Sequence, residues 1–166
     1  MPVENRKSTI VSNADAVPVV LTNPRISGGY VASAVATVEV AAADDDTSQY
    51  RLFRLPSNAK VLSIRILNDA ITGGTSYDLG VYRTAKDGGA VVSVGAFGTA
   101  IDMSSARTTA FFEGAFEAQD IANIERELWQ TAGLTADPSV QYDIVLTANT
   151  VGTAAGTISA IVQYIA

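Results

Sequence analysis

Short runs in which apolar and polar residues alternate, separated by proline, asparagine and glycine, constrain the fold of this sequence more than any other feature. The central stretch contains three of them, Tyr50–Leu55, Val61–Leu67 and Tyr77–Arg83. In the second run Leu62, Ile64 and Ile66 share one side of the chain, because successive side chains of a strand point to opposite faces. This spacing is typical of antiparallel strands with one buried face. We interpret the three runs as a meander at the centre of a β-sandwich.

Four further runs extend the β pattern on both sides of this centre. They are Tyr30–Ala42, Ala90–Val94, Val140–Ala148 and Thr157–Ile165. The segment Lys86-Asp87-Gly88-Gly89 predicts a hairpin before Ala90, whereas Gly95–Ala110 has the composition of a loop. The pattern therefore predicts a mainly β domain, an antiparallel β-sandwich of the jelly-roll-like kind.

One α-helix is predicted within this β domain, at about 118–132. Ile121, Ile124 and Leu128 fall on one stripe that would face the sheet. Gly133 is suited to the position just after the end of the helix. Trp129, the one tryptophan of the sequence, lies at the border between the apolar stripe and the polar face. Tryptophan in such a position is favoured at protein interfaces.

The first 29 residues are polar and irregular and contain Pro2, Pro18 and Pro24. Proline interrupts helices and removes strand donors, so we expect no helix here. The sequence predicts an extended N-terminal arm, residues 1–29, ahead of a sandwich domain, residues 30–166. We expect the apolar centre of the arm, Val19-Val20-Leu21, to dock on a partner. The alternative is a disordered tail that adds one edge strand to its own domain.

The absence of cysteine and histidine removes several classes of function. There is no disulfide, no thiolate nucleophile, no Cys-based zinc site and no Ser-His-Asp triad. A formal net charge of −6 argues against binding to a nucleic-acid backbone. No apolar run is long enough to cross a membrane, and the first residues lack the core of a signal peptide. We therefore expect synthesis in a cytoplasm, with no cofactor and no nucleic-acid or membrane partner.

Carboxylates are the remaining candidates for chemistry. Asp44-Asp45-Asp46 is the one dense cluster, and three carboxylates could bind calcium. The spacing of a calcium-binding loop is missing, so a solvated turn is the favoured interpretation. The sequence spacing of the scattered carboxylates favours no glycosidase pair among Asp69, Asp78, Glu113, Glu125 and Asp143. No phosphate-binding or nucleophile motif occurs, and we expect neither an enzyme nor a metal site.

Three short sequence segments, in and just after the central stretch, form a further pattern. They are Arg51-Leu52-Phe53-Arg54-Leu55-Pro56-Ser57-Asn58-Ala59-Lys60-Val61, Asp78-Leu79-Gly80-Val81-Tyr82 and Gly88-Gly89. Together they resemble small virion proteins of tailed phages, of the kind encoded beside the major capsid protein. Such proteins are often capsid decoration (cement) proteins, which are β-rich, commonly trimeric and bound outside the shell. The resemblance implies structural roles for these residues: a tight turn at Pro56–Ala59 and close packing at Gly80.

The resemblance implies a structural virion protein at the capsid surface. Its partners would be the major capsid protein and further copies of itself, most simply in a trimer. A charged fraction of 17% and the alanines between Ala32 and Ala36 also favour self-association. The candidate partner-binding residues are Val19, Val20, Leu21 and Trp129. The alternative is a carbohydrate-binding β-sandwich of a phage fibre or baseplate, which would use Tyr30, Tyr82 and Trp129 as sugar platforms.

Overall fold

The computed structural model describes residues 6–24, 26–113, 121 and 123–166. The chain forms two compact units, the segment up to Tyr30 and Val31–Ala166. The first unit contains helix α1 (Thr9–Ala14), whose N-cap is Ser8. The Ser8 hydroxyl accepts a hydrogen bond from the backbone N–H of Val11, which satisfies one free donor of the first turn. The expectation of no helix is therefore wrong, because α1 fits between Pro2 and Pro18.

The second unit is built from eight strands. They are β1 (Val31–Val40), β2 (Gln49–Pro56), β3 (Lys60–Asn68), β4 (Ser76–Arg83), β5 (Val91–Ile101), β6 (Arg107–Glu113), β7 (Gln141–Thr150) and β8 (Gly156–Ile165). They form two four-stranded sheets, which we call sheet A (order β1-β8-β3-β6) and sheet B (order β2-β7-β4-β5). All the strand pairs are antiparallel. The predicted mainly β, antiparallel β-sandwich is confirmed.

The predicted central meander is wrong, although its three strands exist. Strands β2 and β4 both pair with β7 in sheet B, while β3 pairs with β8 and β6 in sheet A. The chain therefore crosses between the sheets from β2 to β3 and again from β3 to β4. Alternation in the sequence specifies that one face of a strand is buried, but it does not specify which neighbour supplies the hydrogen bonds.

The core lies between the two sheets and is formed by the inward-facing residues of both. Its central members include Ile64, Ile66, Tyr77, Leu79, Tyr142, Ile144, Leu146, Ile158 and Val162. In β3 the register against β8 shifts between Val61 and Ser63. Because a bulge changes which face a residue occupies, Val61 is buried with Ile64, while Leu62 is half-buried.

The region 95–110 is not the loop that its composition indicates, since it contains the end of β5 and the start of β6. Strand β5 pairs irregularly with β4, and its register shifts at three places. Irregular pairing relaxes the alternation that identifies a strand. The hairpin before β5 is confirmed: Gly88 and Gly89 adopt positive φ values of 84° and 65°, and the N–H of Arg83 donates to the carbonyl of Ala90.

The predicted helix at 118–132 is largely wrong where it can be assessed. Residues 114–120 and 122 lie outside the described part, residues 123–127 are turn and coil, and helix α2 comprises only Leu128–Thr131. The N–H of Leu128 donates to the carbonyl of Ala59 rather than to a preceding turn. Ile121 and Ile124 are 95% and 52% exposed, so no buried stripe forms. No helix among the described residues is long and apolar enough to span a membrane.

Candidate interaction surfaces

The apolar centre of the N-terminal arm is held in place by α1. Asn13 lies in the last turn of that helix, and its carbonyl accepts a hydrogen bond from the N–H of Val20 at 3.1 Å. Its side-chain amide donates to the hydroxyl of Thr22 at 3.3 Å. An ion pair of 2.8 Å between Lys7 and Asp15 spans the helix. These contacts hold the segment against α1.

The apolar side chains of the same segment remain open to solvent. Val17 is 99% exposed, Val19 65%, Val20 51% and Leu21 91%. The predicted residues Val19, Val20 and Leu21 thus form one contiguous apolar segment, which we call the arm patch. Exposed apolar groups that follow one another in this way mark an interaction surface more often than isolated ones do.

Trp129 occupies a different kind of position. It is the second residue of α2 and is half-buried. Its backbone N–H donates to the carbonyl of Ser57 at 2.9 Å, and its indole N–H donates to a carboxylate oxygen of Glu127 at 2.8 Å. Trp129 therefore belongs to the attachment of α2 to the turn after β2.

The turn to which α2 attaches is the predicted tight turn at Pro56–Ala59, which is confirmed. The N–H of Ala59 donates to the carbonyl of Pro56. The Ser57 hydroxyl lies 2.5 Å from a carboxylate oxygen of Asp137 and accepts a hydrogen bond from the N–H of Val140. A shallow cavity of about 260 Å³ lies beside this turn. Its polar groups are engaged in holding the chain together.

The aromatic residues of the carbohydrate-binding alternative do not form one platform. Tyr82 is 1% exposed, and its hydroxyl is hydrogen-bonded to Thr147 at 2.5 Å, so its prediction as a sugar platform is wrong. The guanidinium of Arg51 lies over its ring, 6.0 Å from the ring centroid. Tyr30 is 94% exposed.

The acidic triplet Asp44-Asp45-Asp46 shapes the connection between β1 and β2. Asp44 accepts hydrogen bonds from the N–H of Ala41 at 2.9 Å and from the hydroxyl of Tyr50 at 2.8 Å. These two bonds lower the pKa of Asp44, because they stabilise its charged form. Asp46 accepts a hydrogen bond from the N–H of Val151. Within the described residues, no group of three or more acidic side chains is arranged to hold a metal ion.

We accordingly expect a metal chelator to leave the thermal midpoint of unfolding unchanged. Asp44 and Asp46 already use their carboxylates to accept backbone hydrogen bonds, and calcium would have to compete with those bonds. The measurement is a thermal melt with EDTA, and a melt with added calcium is the control. A midpoint several degrees lower in EDTA, restored by calcium, would refute this prediction.

A charged cluster on sheet B was not anticipated from the sequence. The side chain of Asp143 on β7 is 3% exposed, and it accepts hydrogen bonds from Arg51 at 2.8 Å and from Arg54 at 2.7 and 3.1 Å. Arg51 also donates to the carbonyls of Arg83 and Gly89. Burial raises the pKa of Asp143, but the hydrogen bonds from Arg54 and Arg51 outweigh burial, and the pKa is lowered.

This cluster ties four segments of sheet B together and leaves Asp143 no free role in catalysis. Three of the other scattered carboxylates also make structural contacts. Asp69 accepts a hydrogen bond from the N–H of Thr157, and Asp78 accepts one from the N–H of Ala100. Glu113 pairs with Arg65 at 3.1 Å.

No protein-family model matches this chain, and no curated protein matches it. Among solved structures, a chain in the capsid of Ralstonia phage GP4 is similar in fold. The two share 13% identity with a TM-score of 0.55, over 82% of this chain and 84% of that chain. At this identity the likeness concerns the fold alone.

Two more distant likenesses accompany it. One is to a chain of the cyanophage Pam1 capsid asymmetric unit, with 19% identity, a TM-score of 0.49 and 99% of both chains covered. The other is to a chain in the acidic stable capsid structure of Helicobacter pylori bacteriophage KHP30, with 17% identity, a TM-score of 0.46 and 81% and 87% covered. Neither is close enough to refine the description of the fold.

Proposed function

We propose that this chain is a structural virion protein that binds the outside of a phage head as a capsid decoration (cement) protein. The observation that carries the proposal is the arm patch, an exposed apolar segment attached to a β-sandwich whose polar clusters are internally satisfied. The fold likeness to a chain of the phage GP4 capsid supports the same class of protein. The protein has no enzymatic role in this proposal.

The mechanism is burial of apolar surface between neighbouring shell subunits. Val19, Val20 and Leu21 would insert between copies of the major capsid protein and add contact area where the shell is under tension. Each valine or leucine contributes about 1.5–3 kcal/mol when it is fully buried. Many copies on one shell act together, so that modest individual contacts give durable attachment. Trp129 is a second candidate contact.

The proposal includes self-association, most simply as a trimer, with assembly into the virion after synthesis in the host cytoplasm. The strand pairs nest as β1 with β8, β2 with β7, β3 with β6 and β4 with β5. This order favours a jelly-roll-like sandwich, an architecture used by viral capsid proteins. The carbohydrate-binding alternative has weaker support, because Tyr82 is buried.

We expect a Val20→Asp substitution to weaken binding to phage shells by about tenfold or more, because a carboxylate cannot be buried in an apolar contact without a large desolvation cost. The matched control is Val91→Asp on β5. Val91 and Val20 are 54% and 51% exposed, and both receive the same change. Binding is measured by co-sedimentation of purified protein with shells that lack it.

Both variants should melt at the temperature of the unmodified protein, since neither valine is buried. The proposed mechanism fails if Val20→Asp binds shells as tightly as Val91→Asp. The proposed function itself fails if the unmodified protein neither binds shells nor copurifies with intact virions in stoichiometric amounts.

A further inference from the structure

The two sheets leave four strands at their edges: β1 and β6 in sheet A, and β2 and β5 in sheet B. An edge strand presents a row of unpaired backbone donors and acceptors that can pair with another chain. Natural proteins prevent such pairing with proline, charged side chains, bulges or short strands. An edge without any of these features is therefore informative.

Three of the four edges carry such features. Strand β2 has a register shift between Arg51 and Phe53, contains two arginines and ends at Pro56. Strand β5 is irregular, with three register shifts against β4. Strand β6 is seven residues long, pairs irregularly with β3 and has Arg107 and Glu113 at its ends.

Strand β1 differs from the other three edges in its regular pairing. It is ten residues long, and its register against β8 is regular from Val31 to Val40. It contains no proline and no lysine, and its single charged residue is Glu39. Within the described part of the chain, no other strand and no loop hydrogen bond satisfies its far side.

Both faces of β1 also carry apolar side chains that the sheet does not fully cover, although the outer face includes polar residues such as Glu39. On the outer face of sheet A, Val31 and Val35 are 57% and 72% exposed. On the inner face, Ala34, Ala36 and Val38 pack against the core but are only half-buried. Another strand beside β1 would cover both sets of side chains.

We propose that β1 pairs in antiparallel orientation with β1 of a second copy of this chain, about a two-fold axis perpendicular to the sheet at Ala36. Sheet A then continues through the axis as one eight-stranded sheet. A second copy fits this edge because an unguarded strand of this length supplies its own complementary donors and acceptors. The contact is isologous, since the same surface is used on both copies.

Charge determines the orientation of the pair. A parallel arrangement would place the two Glu39 carboxylates side by side, which is unfavourable. In the antiparallel arrangement they lie six residues apart along the pair, or about 20 Å. That separation exceeds the screening length of about 8 Å in physiological salt.

The position of the axis follows from the side chains that then face each other. With the axis at Ala36, Glu39 lies opposite the hydroxyl of Ser33, Val35 opposite Thr37, and Ala34 opposite Val38. With the axis at Val35, the Glu39 carboxylate would lie opposite the apolar Val31. The first arrangement gives the carboxylate a donor and pairs small with larger inner side chains. Glu39 already accepts a hydrogen bond from the Thr157 hydroxyl at 3.0 Å, and this bond lies on the β8 side and can persist.

The first experiment measures the mass of the full chain in solution by sedimentation at increasing concentration. We expect complexes with an even number of copies: two through this edge alone, or six if another surface forms a trimer. A Val35→Glu substitution should weaken the even-numbered association by about tenfold, because the two introduced carboxylates lie diagonal to each other across the axis and to the Glu39 carboxylate of the second copy. The matched control is Thr109→Glu on the β6 edge, also exposed, which should leave association unchanged.

The second experiment uses the absence of native cysteine. In a mixture of Val35→Cys and Thr37→Cys proteins, the mixed disulfide should exceed either homodimer, because opposite residues bring their Cβ atoms within reach of a disulfide. A Thr109→Cys protein provides the background level. A protein that stays a single copy or only a trimer, or a mixture that cross-links no more than this background, would overturn β1 pairing. Shell binding by such a protein would leave the proposed function standing.

Discussion

Replacing Asp143 with asparagine should lower the free energy of unfolding by about 1–3 kcal/mol at neutral pH. Removing one partner of a buried ion pair typically costs about 3–5 kcal/mol. The side chains of Arg51 and Arg54 are 30% and 43% exposed, so water partly solvates them after the change, and the cost falls below that range. The loss should appear in chemical denaturation as a lower midpoint with an unchanged slope.

The matched control is Glu113→Gln, the same carboxylate-to-amide change in a more exposed pair. Glu113 and Arg65 side chains are 30% and 45% exposed, and such pairs contribute about 0.2–1 kcal/mol. An Asp143→Asn variant as stable as Glu113→Gln would show that the Asp143 cluster does not stabilise the fold.

Acid should reduce the difference in the free energy of unfolding between the unmodified protein and the Asp143→Asn variant. The pKa of Asp143 is lower in the folded protein than in the unfolded chain. Its contribution is therefore complete above the unfolded pKa, about 3.9, and is lost as the pH falls through the lowered folded pKa. A difference in unfolding free energy that stays constant to the most acidic pH tested would contradict this assignment.

The Asp143 cluster also shows the limit of interpretation from sequence. Arg51 and Arg54 are three residues apart, and in a regular strand they would point to opposite faces. The register shift between Arg51 and Phe53 inserts one residue, so that Arg51 lies opposite Val145 and Arg54 opposite Asp143 on the same face. The local sequence pattern does not predict this bulge. Asp143 is also about ninety positions away along the chain, so the pairing is not a local property.

Elements defined by local signals were predicted well. Strands β2, β3, β4, β7 and β8 lie within two residues of their predicted bounds, because alternation and turn residues are local properties. The assignment of strands to sheets was not predicted, since it depends on long-range pairing. The helix predicted at 118–132 from apolar spacing is limited, in the described part of that range, to Leu128–Thr131. There the N–H of Leu128 bonds to Ala59, a contact far away in the sequence.

The candidate binding residues were predicted in part. Val19, Val20 and Leu21 were identified as an apolar segment among prolines, and the structure exposes all three side chains. Their binding to a partner stays a prediction. The position of β1 at the edge of its sheet could not be predicted from the sequence, because it depends on the order of the strands in the sheet. The alternating sequence of β1 is equally compatible with a strand in the interior of a sheet.

Gly80→Ala should lower the free energy of unfolding by at least about 3 kcal/mol, more than any other substitution discussed above. This is the upper end of the cost of overpacking a core. A Cβ atom at this position would lie within 3.0 Å of the backbone oxygens of Val94 and Ser93, closer than real Cβ atoms come. Both atoms belong to β5, which crosses over β4 at the point where its register shifts. The close packing predicted for Gly80 is therefore confirmed. A backbone cannot rotate out of the way as a side chain can.

Gly95→Ala provides the test of this reasoning, because Gly95 lies in β5 and its added Cβ would also come too close to a neighbour. That neighbour is the Cγ2 methyl of Thr99, the end of a side chain that can change rotamer. We expect Gly95→Ala to cost less than about 1.5 kcal/mol, the range of an off-rotamer side chain. Chemical denaturation of both variants measures the two costs. If Gly80→Ala proves no more destabilising than Gly95→Ala, the crossing of β5 over Gly80 does not constrain the fold.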